Sequence, residues 1–569
     1  MRGAEILVQM LLEYKVEVIF GVPGDTSLAL YEAIYDASPR IRHVMARDER
    51  SAGFMADAYA RLSNKPGVCE CPSGAGALYS IPGVAEANSS SIPVILFTSD
   101  ISLADEGRGA ITALDHYKLF EPVAKWSSFL KQVDKIPETL RRAFRVATTG
   151  RPGAVHLAFP QEILTGEPKD GACHIFSEPE CVGYPAYRTR GSRKVLEEAV
   201  KHLLKADRPV IIAGGGANHS QASQEIIALS EWLAAPVTTT ISGQGIMPDD
   251  HPLALGVLGD NGFHVYANQA VEEADLLLYI GCKRGSVSTI KWTLPSFQRD
   301  RRIIQIDLDP LQLSNNLANT LDIAGDARLV LKDLIELLAR EGGPRKPSGW
   351  VDDLNRARAR FWEESQAALH SDAVPIKPQR LIHALNQRLP SPSIVIADAG
   401  TPTPYITRFL KLQGGGSRFL IPRSFGGLGY AIPASVGASF ARPGTRVVAL
   451  FGDGSLGMSA GELETLSRLK TPAVLIHFNN GCFGWIKALQ ALHCKSKFLS
   501  VDFTPGDMAR VAEGFGLKAL HIESPEELEK GLDEAFDSQA PVFLDVVTEP
   551  ELSELPPVYS WLKKAGMVG

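Results

Sequence analysis

The sequence has few of the features that mark secreted, membrane or nucleic-acid-binding proteins. Cysteine is scarce: seven occur in 569 residues. That odd, low number excludes a disulfide framework and predicts reduced thiols in a cytoplasmic setting. No apolar run is long enough to cross a bilayer and the N-terminus lacks a signal-peptide pattern, so we expect no membrane contact. The 65 acidic residues outnumber the 58 Lys and Arg, which argues against nucleic acid as a partner.

The length and patterning predict several α/β domains. A chain of 569 residues exceeds one hydrophobic core, and its composition, 45% hydrophobic and 22% charged, is ordinary for a globular enzyme. Strand and helix patterns alternate in three blocks, which predicts the α/β class with three doubly wound parallel-sheet domains. We place them at 1–165, 188–345 and 377–550, with a tail at 551–569 that covers a cleft or interface. The first and third blocks share one coarse layout.

Two predicted strands of the third domain end in polar residues. One apolar run ends in Gly452-Asp453-Gly454, and the next ends in Asn480. A right-handed strand–helix–strand connection brings Asp453 and Asn480 side by side at the strand tips. A carboxylate and a carboxamide form a hard, all-oxygen site suited to Mg²⁺, and the glycines let backbone amides approach a phosphate. By itself, Gly-Asp-Gly is more typical of an ordinary crossover with an Asp N-cap.

A third signal lies in the first domain, where Glu49 begins a predicted helix of small residues, 48–61. A carboxylate at a helix N-terminus has a plain structural explanation, because it interacts favourably with the helix dipole. Together, however, Glu49, Gly452-Asp453-Gly454 and Asn480 resemble, in kind, order and spacing, the signature of thiamine-diphosphate enzymes. The resemblance covers essentially the whole chain. It is closest to the branch of acetolactate synthase, oxalyl-CoA decarboxylase and 2-hydroxyacyl-CoA lyase.

The resemblance implies a role for each matching residue. Glu49 is expected to hydrogen-bond N1′ of the cofactor aminopyrimidine, which lets the cofactor lose its C2 proton and form an ylide. Mg²⁺ is expected on Asp453, the Asn480 side chain and the backbone carbonyl of Cys482. Leu428 matches the residue that props the cofactor into its bent shape. The remaining cofactor contacts expected from the resemblance are Gly24, Thr401, Thr403, Gly426, Gly452, Gly454, Ser455 and Phe483.

The same resemblance implies the architecture and the assembly. The three domains become pyrimidine-binding, central nucleotide-binding-like and diphosphate-binding domains. The active site is expected between the first domain of one subunit and the third domain of another. A homodimer or homotetramer with shared active sites follows from the family likeness and not from composition.

Substrate-facing positions depart from the family pattern. Thr112 stands where relatives often carry the glutamine of Phe-Gln-Glu, and we take it as a catalytic candidate. Asp25 matches a catalytic aspartate of pyruvate decarboxylases, but the adjacent histidine pair is missing and the second catalytic glutamate falls on Ile486. Asp25 is therefore either a proton donor or acceptor or a turn-stabilising residue. His116 and His493 are more typical of structural histidines.

The central domain leaves its ligand open. Three glycines, 214–216, follow a predicted strand and could admit a phosphate, and Lys283 and Arg284 supply cations after another strand. Relatives that bind FAD carry an Arg-Phe-Asp-Asp-like run where this chain has Lys283-Arg-Gly-Ser286. FAD is thus doubtful, whereas ADP, CoA or no ligand at all are equally compatible with the sequence.

Three functions compete at this stage. The leading hypothesis is a thiamine-diphosphate-dependent lyase or carboligase that decarboxylates a 2-oxo acid through an enamine and then transfers or releases the acyl unit, as acetolactate synthase does. The enzyme alternative is a 2-hydroxyacyl-CoA lyase or oxalyl-CoA decarboxylase, with CoA anchored by Lys283 and Arg284. A cofactor-binding regulatory homologue is the non-enzyme alternative. Retention of Glu49, Asp453 and Asn480 argues against it.

Overall fold

The computed structural model describes residues 1–169, 173–413, 416–504, 506–550 and 552–567. It contains three six-stranded sheets, and every strand pairing within them is parallel. Helices alternate with the strands along the chain. The predicted class, three α/β domains with doubly wound parallel sheets, is confirmed.

The first domain carries its sheet in the order β2-β1-β3-β4-β6-β5. Its strands are β1 Val18–Gly21, β2 Arg42–Met45, β3 Gly67–Cys71, β4 Val94–Asp100, β5 Trp126–Phe129 and β6 Val155–Pro160. Its helices are α1 Gly3–Glu13, α2 Leu28–Ala37, α3 Glu49–Ser63, α4 Ala75–Ser90, α5 His116–Phe120, α6 Ile136–Thr148 and α7 Gln161–Thr165.

The central domain has the sheet order β12-β11-β10-β7-β8-β9. Its strands are β7 Pro209–Ala213, β8 Val237–Thr239, β9 Ala254–Val257, β10 Leu276–Ile280, β11 Arg302–Asp307 and β12 Leu321–Ala324. The helices here are α8 Arg193–Lys205, α9 Gly215–His219, α10 Ser223–Leu233, α11 Val265–Glu273 and α12 Ala327–Glu341, followed by α13 Gly349–Glu364 and α14 Gln366–Leu369. The order reverses between β7 and β10, the place where such sheets open a ligand crevice.

The third domain repeats the topology of the first, with the order β14-β13-β15-β16-β18-β17. Its strands are β13 Ser393–Ala397, β14 Arg418–Leu420, β15 Arg446–Gly452, β16 Ala473–Asn479, β17 Lys518–Ile522 and β18 Val542–Val547. Its helices are α15 Pro378–Asn386, α16 Pro402–Phe409, α17 Ala431–Ala441, α18 Asp453–Ser459, α19 Glu462–Leu469, α20 Gly484–His493, α21 Met508–Gly514 and α22 Pro525–Asp537, with α23 Tyr559–Lys564 in the tail. Residues 551, 568 and 569 of the predicted tail lie outside the described residues.

The first and third domains share a core through α3 and α17. An ideal Cβ placed on Gly437 would lie 2.0 Å from the backbone oxygen of Met55, so these helices meet backbone to backbone. The Phe54 and Tyr430 rings meet edge to face at 5.2 Å, and the Tyr430 hydroxyl donates to Asp57 Oδ2 at 2.6 Å. Small residues on both helices permit this approach, and it fixes the start of α3 relative to the third domain.

Membrane-spanning helices and disulfide bonds are two features that the sequence argues against. Within the described residues, no helix combines the length and apolar character needed to span a bilayer. All seven cysteines are free thiols, and Cys69 and Cys71 are buried in β3.

Candidate active site

The carboxyl ends of β13, β15 and β16 form what we term the third-domain edge. Asp453 follows β15 directly as the first residue of α18, and Asn480 comes immediately after β16. The Asn480 backbone N–H donates to Asp453 Oδ2 at 3.2 Å. Because neighbouring parallel strands end together, the crossover brings these two residues side by side.

Glycines give the third-domain edge its shape. An ideal Cβ on Gly454 would lie 2.5 Å from Phe483 Cε1 and 3.3 Å from Leu428 Cδ1, so only glycine allows both side chains to approach this backbone. Gly426 has φ 66°, in the left-handed region that favours glycine. An ideal Cβ on Gly452 would lie 3.8 Å from Pro402 Cγ and 3.9 Å from the Phe478 backbone oxygen, which are ordinary van der Waals distances, so packing does not require glycine here.

A buried carboxyl, Asp398, ties this edge together. Its Oδ2 accepts from the backbone N–H of Ala431, the first residue of α17, at 3.0 Å, and its backbone oxygen accepts from Thr403 Oγ1 at 2.6 Å. Burial raises the pKa of Asp398 to about 6, although backbone N–H groups and the Ser455 hydroxyl oppose this rise. Thr401 is buried beside it, at the start of α16. The Ser455 hydroxyl is thus directed at Asp398. The backbone N–H of Ser455 is then the group that it can offer to a ligand.

The donor chemistry of this edge fits a divalent cation with a bound diphosphate. Asp453 offers a carboxylate and Asn480 a carboxamide oxygen, Oδ1, which here accepts from the Cys482 backbone N–H at 3.3 Å. Cys482 is buried directly beyond Asn480 and can contribute its backbone carbonyl. These are hard oxygen donors of the kind that Mg²⁺ prefers, and glycines at 452 and 454 put no side chain over the backbone N–H groups beside them.

Glu49 lies at the corresponding edge of the first domain. It begins α3, whose N-cap residue Asp48 accepts from the Arg50 backbone N–H at 2.8 Å. The Glu49 side chain is half-buried against the loop after β3, where an ideal Cβ on Gly76 would lie 3.1 Å from Glu49 Oε1. Burial raises the pKa of the Glu49 carboxyl above its ordinary value, and the Asp48 and Glu70 carboxylates act in the same direction. A carboxyl that holds its proton more tightly is suited to general acid–base work.

The loop of residues 72–76 gathers two more predicted residues around Glu49. An ideal Cβ on Gly24 would lie 2.3 Å from Pro72 Cβ, so glycine is needed for the close approach. Thr112 Oγ1 lies 2.7 Å from Ser73 Oγ, and Thr112 has φ 65°, which is strained for a β-branched residue. Asp25 is exposed in the preceding turn, where its Oδ1 accepts from the Thr26 backbone N–H at 2.9 Å. That contact corresponds to the turn-stabilising alternative for Asp25.

Contacts between the domains join the start of α3 to α18 and α19. The Arg47 backbone N–H donates to Glu462 Oε1 at 2.9 Å, and the Arg50 guanidinium donates to the backbone oxygen of Met458. An ideal Cβ on Gly427 would lie 3.9 Å from the Phe54 ring, which places the residue before Leu428 next to α3.

The helix after Cys482 directs its side chains in three different directions. Trp485 packs on Trp561 of the tail, with ring centroids 4.4 Å apart, and Lys487 pairs with Asp502 Oδ1 at 2.5 Å. Ile486 is 46% exposed, so it is the one of the three that remains available to a ligand or partner. The tail therefore covers α20.

The two candidate histidines differ in their surroundings. His116 is buried, with Nδ1 3.0 Å from Thr98 Oγ1, and its Nε2 accepts from the Gly74 backbone N–H at 3.4 Å. His493 lies on the exposed side of α20, with Nδ1 2.7 Å from Lys564 Nζ. His116 thus supports the loop near Glu49, whereas His493 contacts the tail.

Sequence reasoning missed a buried polar pair beneath Asp453. His477 on β16 and Asp545 on β18 are both fully buried, and their side chains are hydrogen-bonded at 2.9 Å. The available signal was a histidine inside an otherwise apolar strand run.

A second candidate site lies in the central domain, where the strand order reverses. A cavity of about 470 Å³ opens there against the first and third domains. Its charged lining is mostly basic: Arg61, Arg151, Lys283, Arg284, Arg418 and Arg423 against Asp307 and Asp326. Lys283 Nζ donates to the Ser89 backbone oxygen at 2.5 Å, while Nε and Nη2 of the buried Arg284 have no hydrogen-bond partner within the described residues. The predicted glycines, 214–216, line the same cavity.

The fold and both edges define a class of enzyme, and comparison with known families agrees. Residues 1–119 match the N-terminal TPP-binding domain of thiamine pyrophosphate enzymes, 196–334 match the central domain, and 398–546 match the C-terminal TPP-binding domain. The chain belongs to the thiamine pyrophosphate enzyme family.

Its relatives include acetolactate synthase subunits over nearly their full length. The chain is 35% identical over 558 residues to the "Probable acetolactate synthase large subunit" of Methanocaldococcus jannaschii, covering 97% of this chain and 92% of that protein. It is 34% identical over 573 residues to the protein of the same description from Methanococcus aeolicus, covering 98% and 94%. It is 31% identical over 560 residues to the "Acetolactate synthase isozyme 3 large subunit" of Escherichia coli, covering 96% and 95%.

Proposed function

We propose that this protein is a thiamine-diphosphate-dependent lyase or carboligase that decarboxylates a 2-oxo acid and then transfers or releases the acyl unit. The similarity to acetolactate synthase large subunits over nearly the whole chain supports this substrate class. One observation carries the proposal. The first domain has a half-buried carboxyl, Glu49, and the third domain, which has the same strand order, has the oxygen donors Asp453 and Asn480.

The third-domain edge binds the cofactor in this proposal. Asp453, the Asn480 side chain and the Cys482 carbonyl hold Mg²⁺, and the metal holds the diphosphate. Gly454 and Ser455 contribute backbone N–H groups, and Thr401 and Thr403 lie alongside. Leu428 and Phe483, which both approach Gly454, would supply the apolar contact to the cofactor.

The first-domain edge performs the proton transfer. Glu49 would hydrogen-bond the cofactor aminopyrimidine and hold or release a proton at its own carboxyl, a role suited to a carboxyl whose pKa is raised by burial. When bound, the thiazolium ring of the cofactor accepts the electron pair released as carbon dioxide leaves the substrate. Ser73 lies three residues before Gly76, which adjoins Glu49, and is hydrogen-bonded to Thr112. We assign the hydroxyl groups of Ser73 and Thr112 to substrate contact.

The enzyme alternative is a 2-hydroxyacyl-CoA lyase or oxalyl-CoA decarboxylase. The basic cavity of the central domain favours it, because the phosphates of CoA would neutralise the unpaired guanidinium nitrogens of Arg284. ADP or FAD would use the same cations. The 2-oxo acid enzyme and the CoA-thioester enzyme would use the same cofactor site. They would differ in the ligand that enters the central-domain cavity.

A substrate panel separates the two. Purified protein with thiamine diphosphate and Mg²⁺ is tested for carbon dioxide release and acetolactate formation from pyruvate, and for cleavage of 2-hydroxyacyl-CoA and oxalyl-CoA. Visible absorbance of the same preparation detects bound flavin. We expect turnover with the 2-oxo acid. Turnover with thioesters alone would replace the leading function by the alternative, and turnover with neither panel would contradict both.

We further propose that two copies share each active site. Large apolar side chains stand exposed near the first-domain edge: Leu28 at 67%, Tyr79 at 58% and Ile111 at 86%. A second subunit would bury them. Mixing two inactive variants, Glu49→Gln and Asp453→Ala, tests the arrangement, because mixed dimers would regain one intact site. We expect activity to return on mixing; no recovery after subunit exchange would place both residues in a site within one chain.

A further inference from the structure

A fully buried histidine and aspartate lie directly beneath the proposed metal site. His477 on β16 is aligned with Asp545 on β18 in the parallel register, and neither side chain is exposed. His477 Nδ1 lies 2.9 Å from Asp545 Oδ1. Burying ionisable groups inside a sheet is costly unless each polar atom is paired, so the pair needs an explanation beyond packing.

Asp545 is held rigidly from several directions. Oδ1 also accepts from Asn479 Nδ2 at 3.0 Å. Oδ2 accepts from the Met508 backbone N–H at 3.0 Å and lies 2.8 Å from His521 Nδ1. Burial alone would raise the pKa of Asp545, but the hydrogen bonds from His477, His521 and Asn479 hold it below its ordinary value. A carboxylate with four donors is fixed in place and therefore fixes the ring of His477.

The other ring nitrogen of His477 faces Asp453. Nε2 lies 3.5 Å from Asp453 Oδ1, at the outer limit of a hydrogen bond, and no closer partner is present among the described residues. The second oxygen of Asp453, Oδ2, accepts from the Asn480 backbone N–H. The Asp453 carboxylate thus has a polar neighbour at each oxygen: His477 Nε2 near Oδ1 and the Asn480 backbone N–H at Oδ2.

We propose that His477, oriented by Asp545, is a positioning residue that holds the Asp453 carboxylate in the orientation needed to bind a divalent cation. The inference rests on the proposed function, because that function makes Asp453 a metal ligand. Partners behind a ligand fix its orientation, and their loss weakens metal binding even though they never touch the metal.

The chain supplies a matched control in His521. It contacts the same carboxylate through Asp545 Oδ2 but lies at the partly exposed side, next to Asp507 and Glu523, and has no contact with Asp453. Removing His477 or His521 therefore takes one imidazole from Asp545 in each case. Only the first change affects the proposed metal ligand.

The test measures Mg²⁺ affinity without turnover. Titration calorimetry with Mg²⁺ in the presence of thiamine diphosphate gives the dissociation constant for the wild type, His477→Leu and His521→Leu, with circular dichroism to verify folding. For His477→Leu we expect the Mg²⁺ dissociation constant to rise about 10- to 100-fold. For His521→Leu we expect a change of less than about fivefold, as for an exposed ion pair.

Two results would overturn the inference. One is a folded His477→Leu protein with unchanged or tighter Mg²⁺ binding; the other is a larger loss in His521→Leu than in His477→Leu. If the leucine variant does not fold, His477→Asn carries the same test, because its shorter side chain places an amide donor near the position of Nδ1, toward Asp545, and does not reach Asp453. A wild-type protein that binds neither Mg²⁺ nor thiamine diphosphate would instead refute the proposed function.

Discussion

The first and third domains have the same strand order but opposite chemistry at the carboxyl ends of their strands. In the first domain the proposed functional carboxyl, Glu49, is half-buried and has no ion-pair partner within the part of the chain that the structure describes, and its pKa is raised. In the third domain Asp453 stands among polar partners, namely the Asn480 backbone N–H and His477. In the proposed function, the first-domain edge holds a proton and the third-domain edge holds a cation.

The comparison shows how a single topology supports two roles. In both domains the proposed residue is the first of a helix that follows a strand: Glu49 begins α3 after the outer strand β2, and Asp453 begins α18 after the central strand β15. The chemistry then depends on the surroundings of each carboxyl. Desolvation favours its neutral form, whereas hydrogen bonds favour the charged form.

Removing the carboxylate of the third-domain edge should have the largest effect. In Asp453→Ala the proposed metal site loses its only charged ligand, so we expect Mg²⁺-dependent affinity for thiamine diphosphate to fall by more than about 100-fold, beyond the range for partners behind a ligand. Calorimetric titration measures it. Asp533→Ala, an exposed carboxylate of the same domain, is the control. Unchanged affinity in Asp453→Ala would remove Asp453 from the metal site.

A smaller effect, on the free energy of unfolding, is expected from disturbing the contact between α3 of the first domain and α17 of the third. In Gly437→Ala the added methyl group would meet the Met55 backbone oxygen at 2.0 Å and force α3 and α17 apart. We expect a net loss of about 2 kcal/mol in the free energy of unfolding, measured by urea denaturation. Gly514→Ala, where the added Cβ meets nothing within 4 Å, should change it by less than about 0.5 kcal/mol. Equal effects in both variants would contradict the close helix contact.

The smallest expected effect is a change in how the free energy of unfolding depends on pH, and it concerns Asp398. The pKa of Asp398 in the folded protein, about 6, exceeds its ordinary value of 3.8, so folding favours the protonated carboxyl. Its contribution to stability is full below pH 3.8 and is lost as pH rises through about 6.

Asn at this position mimics the neutral form. In Asp398→Asn we therefore expect the free energy of unfolding to fall less between pH 4 and 6 than in the wild type, by on the order of 1 kcal/mol. Urea denaturation at several pH values measures the difference, with Asp533→Asn as the control. If Asp398→Asn kept the wild-type pH dependence of the free energy of unfolding, groups other than Asp398 would be its cause.

Much of this arrangement could be predicted from the sequence, because strand and helix periodicity and the positions of Asp453 and Asn480 are local signals. Local patterning was less exact elsewhere: the expected strand–helix–strand connection contains two helices, α18 and α19, the first beginning at Asp453 itself. His477 and Asp545 escaped prediction, because their pairing depends on strand register between residues 68 positions apart. The buried role of Asp398 likewise depends on contacts made only in the folded chain.

The central claim is that Glu49 moves a proton on a cofactor that the third domain binds. It is tested most directly by hydrogen–deuterium exchange at C2 of thiamine diphosphate bound to the wild type and to Glu49→Gln, followed by NMR after rapid quenching. We expect both proteins to bind the cofactor, with exchange about 10²- to 10⁴-fold slower in Glu49→Gln, the range for loss of a general acid–base group. Equal exchange rates in the two proteins would contradict the account.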